Sequence, residues 1–192
     1  MTNLITAIIS RLRAVFSYPE DTVDRFDACL KIVLLNEGGW SDHPADPGGA
    51  TMYGITLDTY RQTHPGASKA DLRAITMAEV SAIYRAGYWD RVRGDDLPAG
   101  LDLVAFDGAV NSGVYRGAKW LQSAVGVTAD GQIGAKTVSA AKAANVPSAI
   151  KRALQARKNF LLSLSTWSTF GKGWTARLSR VEAEALKMAK EA

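Results

Sequence analysis

Residues 101–111 read as a helix with no polar face: Leu101, Leu103, Val104, Phe106, Ala109 and Val110 fall at all angles around its axis. Such a helix is stable only when other elements cover it on every side, so the rest of the chain must supply a shell. The surrounding sequence can do so. Val23, Phe26, Leu30, Val33 and Leu34 recur at spacings of three and four, the apolar stripe of a helix that Gly38-Gly39 ends. Thr76 and Glu79 form a capping box that opens a helix running to about Trp89. Further helices are expected at 115–125, 134–144, 148–165 and 174–190, with Ile150, Leu154, Arg157, Leu161 and Leu164 as the inward face of the third. Apart from a short hairpin near 49–56, no stretch reads as strand. The fold class expected is mostly α.

At 192 residues the chain makes one domain, or a domain with a small appendage, and needs no covalent staple. One cysteine, Cys29, excludes a disulfide framework, and two histidines, His43 and His64, leave too few ligands for the usual metal centres; no metal and no cofactor are expected. The net charge of +4 comes from Lys and Arg scattered singly, which argues against a nucleic-acid partner. No run approaches the ~20 apolar residues of a membrane span. Residues 4–16 are apolar in a helical rhythm with Arg11 and Arg13 inside it, but lack the basic leading region and cleavage site of a signal peptide. Two readings stay open for this segment: a helix that meets a membrane, a holin or a secretion partner, and, the plainer one, a helix packed on the protein body or on a second copy. Tyr18-Pro19-Glu20-Asp21 breaks it. The organisation expected is an extension over 1–20, a first half over 21–100 that carries chemistry, and a helical second half over 101–192 packed with the first as one unit.

One step of four beyond Val33, the stripe reaches Glu37, a carboxylate in the core phase of the last turn of a helix. Shelter from water and the negative end of a helix dipole both favour the protonated form of a carboxyl, which a general acid requires. Gly38 and Gly39 leave room for a bulky substrate beside it. Asp42, Asp46 and Thr51 add acid and hydroxyl groups within fourteen residues, and Gly48-Gly49 permits a turn that folds Asp46 or Thr51 back. Glycoside cleavage uses this set, a protonated carboxyl for the leaving oxygen and a second polar group for water or for the oxocarbenium. The plainer alternatives are a solvated helix-end glutamate and an Asp46 that caps an Asp-Pro-Gly-Gly turn. Trp40 and Tyr53 offer aromatic faces to sugar rings. Asp107 and Asn111 sit four apart on one face of the central helix, where buried polar groups must find partners.

The string Glu37-Gly38-Gly39-Trp40-Ser41-Asp42-His43-Pro44-Ala45-Asp46-Pro47-Gly48-Gly49-Ala50-Thr51-Met52-Tyr53-Gly54-Ile55-Thr56 resembles the signature of glycoside hydrolase family 108, N-acetylmuramidases that include phage endolysins and enzymes of bacterial secretion systems. Phe106-Asp107-Gly108-Ala109-Val110-Asn111-Ser112-Gly113 is similar to the family's central-helix motif. Ala118-Lys119-Trp120-Leu121-Gln122, followed by Asp130-Gly131-Gln132-Ile133-Gly134-Ala135-Lys136-Thr137, is similar to the peptidoglycan-binding half found with it. The resemblance covers roughly residues 22–185. It implies a lysozyme-like α fold and cleavage of the β-1,4 bond between N-acetylmuramic acid and N-acetylglucosamine, with Glu37 as the acid. Asp46 and Thr51 fall on further signature positions and complete the catalytic set. Trp40, Tyr53, Asn111 and Gln122 are candidates for touching substrate, and Asp107, Gly38 and Gly39 for structural support. Trp40 stands where a tyrosine is common, which keeps the aromatic face and loses the hydroxyl.

The expected partner is therefore the glycan strand of peptidoglycan. Two other functions remain in view: a lytic transglycosylase on the same bond, and a non-catalytic peptidoglycan binder on a lysozyme-like fold. A chain of this kind is made in the bacterial cytoplasm and acts in the periplasm or cell wall, reaching it by a route other than a clear signal peptide. The oligomeric state, phage or secretion context and stereochemistry stay open.

Overall fold

The computed structural model describes residues 24–42 and 49–192. The expected N-terminal helix over 1–20 lies outside the described residues, as do Val23, His43, Asp46 and Gly48. The fold is mostly α, lysozyme-like in class, with one two-stranded antiparallel sheet among the described residues. The chain divides at 83/84 into two compact units.

In the first unit, α1 (Arg25–Glu37) starts at Asp24, whose side chain accepts from the Phe26 N–H at 3.2 Å. It buries Phe26, Leu30, Val33 and Leu34 of the expected stripe, and Cys29 beside them. The hairpin appears as β1 (Thr51–Met52) and β2 (Ile55–Thr56), with Thr51 opposite Thr56 and Met52 opposite Ile55. Tyr53 and Gly54 form its two-residue turn with φ of 52° and 75°, the positive pair that matches the twist of the strands. Two short helices follow that the periodicity did not reveal, α2 (Leu57–Arg61) and α3 (Lys69–Arg73). Five residues are too few to show a repeat; what defines them is their caps, Thr56 on α2 and a full Ser68–Asp71 capping box on α3. The Thr76–Glu79 box opens α4 (Met77–Tyr84) as expected, with the Thr76 N–H and hydroxyl donating to Glu79 at 2.8 and 2.6 Å.

In the second unit the expected helix end near Trp89 is a π-helical turn over Arg85–Trp89, and a 3-10 turn spans Gly94–Asp96. Trp89 is fully buried and donates to Asp95 at 2.9 Å, and its ring lies over the Cα of Gly94, where a Cβ would collide with it. The central helix is α5 (Leu101–Ser112), buried without interruption from Leu101 to Ala109. Trp89 and Tyr84 meet its Phe106 edge-on, with centroids 5.4 and 6.3 Å away. Its shell comprises α6 (Val114–Ala124), α8 (Val146–Leu162) and α9 (Trp167–Glu191), with α7 (Ala135–Ala143) between α6 and α8 in the chain. The last helix begins seven residues before its expected start, running straight through Gly171 and Gly173. Each glycine costs a helix about 1 kcal/mol, but Gly171 is buried beneath the Trp167 ring, so packing overrides propensity there.

Two features fix this unit. Small residues bring α5 and α6 together: a Cβ on Gly117 would stand 2.6 Å from the Ala109 nitrogen and 3.0 Å from the Ala105 oxygen. Beneath them Asp107, fully buried, accepts from Arg157 Nη1 on α8 at 2.5 Å and from Arg177 Nε on α9 at 2.9 Å. Burial opposes ionisation of Asp107, but the two guanidiniums outweigh it and hold the carboxyl below the usual range.

Gly117→Ala should therefore destabilise by about 1–3 kcal/mol in urea unfolding, through overpacking against backbone that has no room to give. Asp107→Asn should cost about 3–5 kcal/mol by the same measurement, since it leaves two buried cations without their anion. The pH dependence follows from the depressed carboxyl. Its stabilisation is complete above the unfolded-state pKa of about 4 and is lost as pH falls through the lower folded-state value. Melting curves between pH 6 and about pH 2 should show the parent losing stability that Asp107→Asn never had.

Candidate active site

The candidate residues divide between the two units, and each group is built by its own unit. In the first, Glu37 is the last residue of α1, on the side that buries Leu30, Val33 and Leu34. Its Oε1 is shut off from solvent although the residue as a whole is partly exposed. Gly38 follows at φ 73°, a left-handed conformation that a side chain would strain. Among the described residues, a Cβ on Gly38 or on Gly39 would meet nothing within 4 Å.

The chain then runs past Trp40 into Ser41, which pairs with Thr51 by two backbone bonds, Ser41 N–H to Thr51 oxygen at 3.0 Å and Thr51 N–H to Ser41 oxygen at 2.8 Å. Thr51 is thereby tied to a point four residues beyond Glu37. The same stretch is clamped to α3, which packs on β1. Lys69 donates to both oxygens of Asp42 at 2.9 and 3.1 Å, and the Arg73 guanidinium lies 5.5 Å from the Trp40 ring centroid. Lys69 and Arg73 are four apart, hence on one face of α3. Neither was legible as a site residue, because nothing in the spacing of two exposed cations says which distant loop they meet. Tyr53, half-buried in the tight turn of the hairpin, holds a left-handed backbone that non-glycine residues adopt at a cost of about 1–2 kcal/mol. Such costs gather at functional sites. Asp46 lies outside the described residues.

In the second unit Asp107 and Asn111 do share one face of α5, and they share Arg157. Asn111 Oδ1 accepts from Arg157 Nη2 at 2.9 Å and from the Ser112 hydroxyl at 3.2 Å. Asn111 is partly exposed, so the ion cluster below it fixes a polar side chain at the edge of the core. Arg157 had a sequence signal, an arginine in the inward phase of α8 among Ile150, Leu154 and Leu161; Arg177 had none that stood out from other helical cations. Gln122 is 1% exposed, and its amide is spent within the unit. Its nitrogen donates to Asp130 at 2.7 Å, to the Gln132 carbonyl at 2.9 Å and to Thr137 at 3.2 Å, while its oxygen accepts from the Gly131 N–H at 2.8 Å. The Gln122 amide and the Gln132 N–H hold the Asp130 carboxyl below its usual range. Gln122 thus pins the turn that leads into α7 from a buried position.

Chemically, the first unit joins a sheltered carboxyl to a braced hydroxyl-bearing hairpin, and the second holds its own polar cluster on a rigid helix. Comparison with known proteins gives the family. The family described as Glycosyl hydrolase 108 matches residues 30–113, and the one described as "Predicted Peptidoglycan domain" matches residues 116–179. The hydrolase match thus extends through α5, including Asp107 and Asn111, and ends at the glycine between α5 and α6. No curated protein matched the chain. Among solved structures the chain is similar to the one titled "Structure of Brucella abortus SagA", with 47% sequence identity and a TM-score of 0.76 over 85% of this chain and 95% of that one. The chain belongs to the glycosyl hydrolase 108 family and, with a peptidoglycan domain behind the hydrolase segment, is a peptidoglycan hydrolase.

Proposed function

We propose that the chain is an N-acetylmuramidase, cleaving the β-1,4 bond between N-acetylmuramic acid and N-acetylglucosamine with Glu37 as general acid. The observation that carries this reading is the setting of Glu37: a carboxyl oxygen out of water in the last turn of α1, followed by two glycines that add no side chain beside it. A carboxyl so held meets a glycosidic oxygen without a full hydration shell between them. Its proton passes to the bridging oxygen, the C1–O bond breaks with oxocarbenium character at C1, and water adds there. The products are a reducing muramic acid and a free 4-hydroxyl on glucosamine. In this scheme Thr51 orients the water and Asp46 takes its proton or shields the positive charge, as their signature positions suggest. Trp40 and Tyr53 offer ring faces to the sugars, and Asn111 steadies the substrate side from its seat on Arg157.

Glu37→Gln should lower peptidoglycan hydrolysis by about two to four orders of magnitude in a turbidity assay on purified sacculi, with the melting temperature retained. Mass spectrometry of the parent digest should give reducing muramic acid ends. Anhydromuramic ends would instead identify a lytic transglycosylase, and a Glu37→Gln variant that digests sacculi like the parent would remove Glu37 from the chemistry.

The α3 clamp has its own test. Lys69→Ala removes an exposed ion pair, worth about 0.5 kcal/mol or less to folding, so any sizeable loss of activity comes from loosening the Ser41–Thr51 segment. The double variant Lys69→Ala, Arg73→Ala should lower kcat about tenfold with KM little changed. Restoring charge as Lys69→Arg, Arg73→Lys should recover most of it.

A further inference from the structure

The hairpin that carries Thr51 is joined to the rest of its unit through α2. Thr56 stands opposite Thr51 and caps α2, and the Leu57 N–H donates to the Ala50 oxygen at 3.0 Å. The far end of α2 is held by a carboxylate. Glu79 Oε1, in the first turn of α4, accepts from the Tyr60 hydroxyl at 3.0 Å and lies 3.2 Å from His64 Nε2. The Tyr60 and His64 rings stack, with centroids 4.3 Å apart and planes at 19°. Glu79 Oε2 is taken up by the Thr76 cap.

Hydrogen-bond directions at His64 restrict its protonation. The Thr63 hydroxyl donates to the Tyr60 carbonyl at 3.2 Å and stands 2.9 Å from His64 Nδ1. A hydroxyl has one proton and a carbonyl none, so both contacts are hydrogen bonds only when Nδ1 carries a proton and donates to Thr63. Nε2 faces a carboxylate and must carry a proton too. An imidazole that donates from both nitrogens is the cation. With the neutral ring, the Thr63 hydroxyl has to leave the Tyr60 carbonyl for Nδ1, and the charge facing Glu79 is gone.

The groups around His64 keep their own charge while the imidazole changes. The Thr76 hydroxyl and N–H hold Glu79 below the usual carboxylate range against its partial burial, with smaller help from Tyr60 and His64. Burial first, then the bond to Glu79 and the charges of Glu79 and of Asp71 on α3, raises the Tyr60 phenol. Asp71 is itself held low by Ser68, and Arg61 on α2 turns its Nε to the Ala67 carbonyl at 2.9 Å. Of these side chains, imidazole is the one whose ordinary range lies between pH 5 and 8. We propose that His64 is a positioning residue of the hydrolase segment: as a cation it latches α2 to Glu79 and so steadies the hairpin in its pairing with Ser41, and as a neutral ring it loosens that hold. The side chains of the pair are 42% and 30% exposed, which makes the latch a modest one. Its effect on rate rests on the reading of Thr51 as part of the catalytic set; its effect on the hairpin does not.

The test compares the full chain with His64→Gln, whose amide keeps a neutral donor toward Glu79. Hydrogen exchange at the Thr51 N–H, which donates to Ser41, reads the hairpin without substrate. At pH 5.5 the variant should exchange about twofold to fourfold faster than the parent, and at pH 8 at the same rate. Sacculus hydrolysis should follow, with a parent-to-variant ratio of about two to four at pH 5.5 and about one at pH 8. Titration of Glu37 or of His43 acts on both proteins alike and cancels in the ratio. In about 1 M salt the acid-side ratios should shrink. An exchange ratio that does not change with pH overturns the proposal. A pH-dependent exchange ratio beside a flat hydrolysis ratio keeps the latch and removes Thr51 from the chemistry. The bond that is cut is decided apart from both, on the products of the parent enzyme.

Discussion

A single buried carboxylate, Asp107, ties three helices of the second unit together. Its two oxygens receive Arg157 from α8 and Arg177 from α9, while its backbone belongs to α5. An ion cluster of this kind is a poor source of stability against an apolar alternative, because three charges have left water. What it supplies is register: α8 and α9 cannot slide along α5 without stranding a guanidinium. Asn111 inherits that register through its bond to Arg157, so a polar side chain of α5 near the surface is tied to the buried cluster. The close approach of α5 and α6 at Gly117 and Gly108 serves the same end from the other side, since no side chain intervenes that could repack.

The first unit reaches rigidity by other means, having little core of its own around the segment that matters. The stretch after Glu37 is held by backbone pairing with the hairpin and by two surface cations of α3. Neither contact is worth much to folding, yet both act on residues within five positions of the proposed acid. Tyr53 shows the same balance. Its left-handed backbone costs stability that a glycine would return, and the pleat of a two-residue hairpin imposes it.

The long elements were legible because their residues repeat with the period of the structure they form. The stripe of α1, the all-round apolarity of α5 and the capping box of α4 each appear where periodicity and cap chemistry put them. The two short helices leave no trace because five residues carry no period, and α9 begins earlier than its spacing predicts because two glycines stop a helix in isolation but not one whose Gly171 sits under a tryptophan. At the site, Glu37 could be singled out as a carboxylate in core phase, and Asn111 and Asp107 as polar groups on an apolar helix. Gln122 could be named but not understood: its role depends on a turn eight to ten residues away that folds back onto its amide. Lys69 and Arg73 could not be named at all, for tertiary pairing of surface charge leaves no trace in local spacing.

Charge scattered along a sequence can also be sorted in space, and here the average conceals it. Residues 1–83 carry seven basic against ten acidic groups, and residues 84–192 carry sixteen against nine. A hydrolase acting on a strand that bears carboxylates has opposing needs, since the half with the proposed acid must keep its own carboxylates and therefore repels the substrate. Attraction must come from elsewhere on the chain. Screening limits it to roughly 8 Å at physiological salt, so cations serve best where the strand already lies close. Flat aromatic faces provide that closeness without regard to salt.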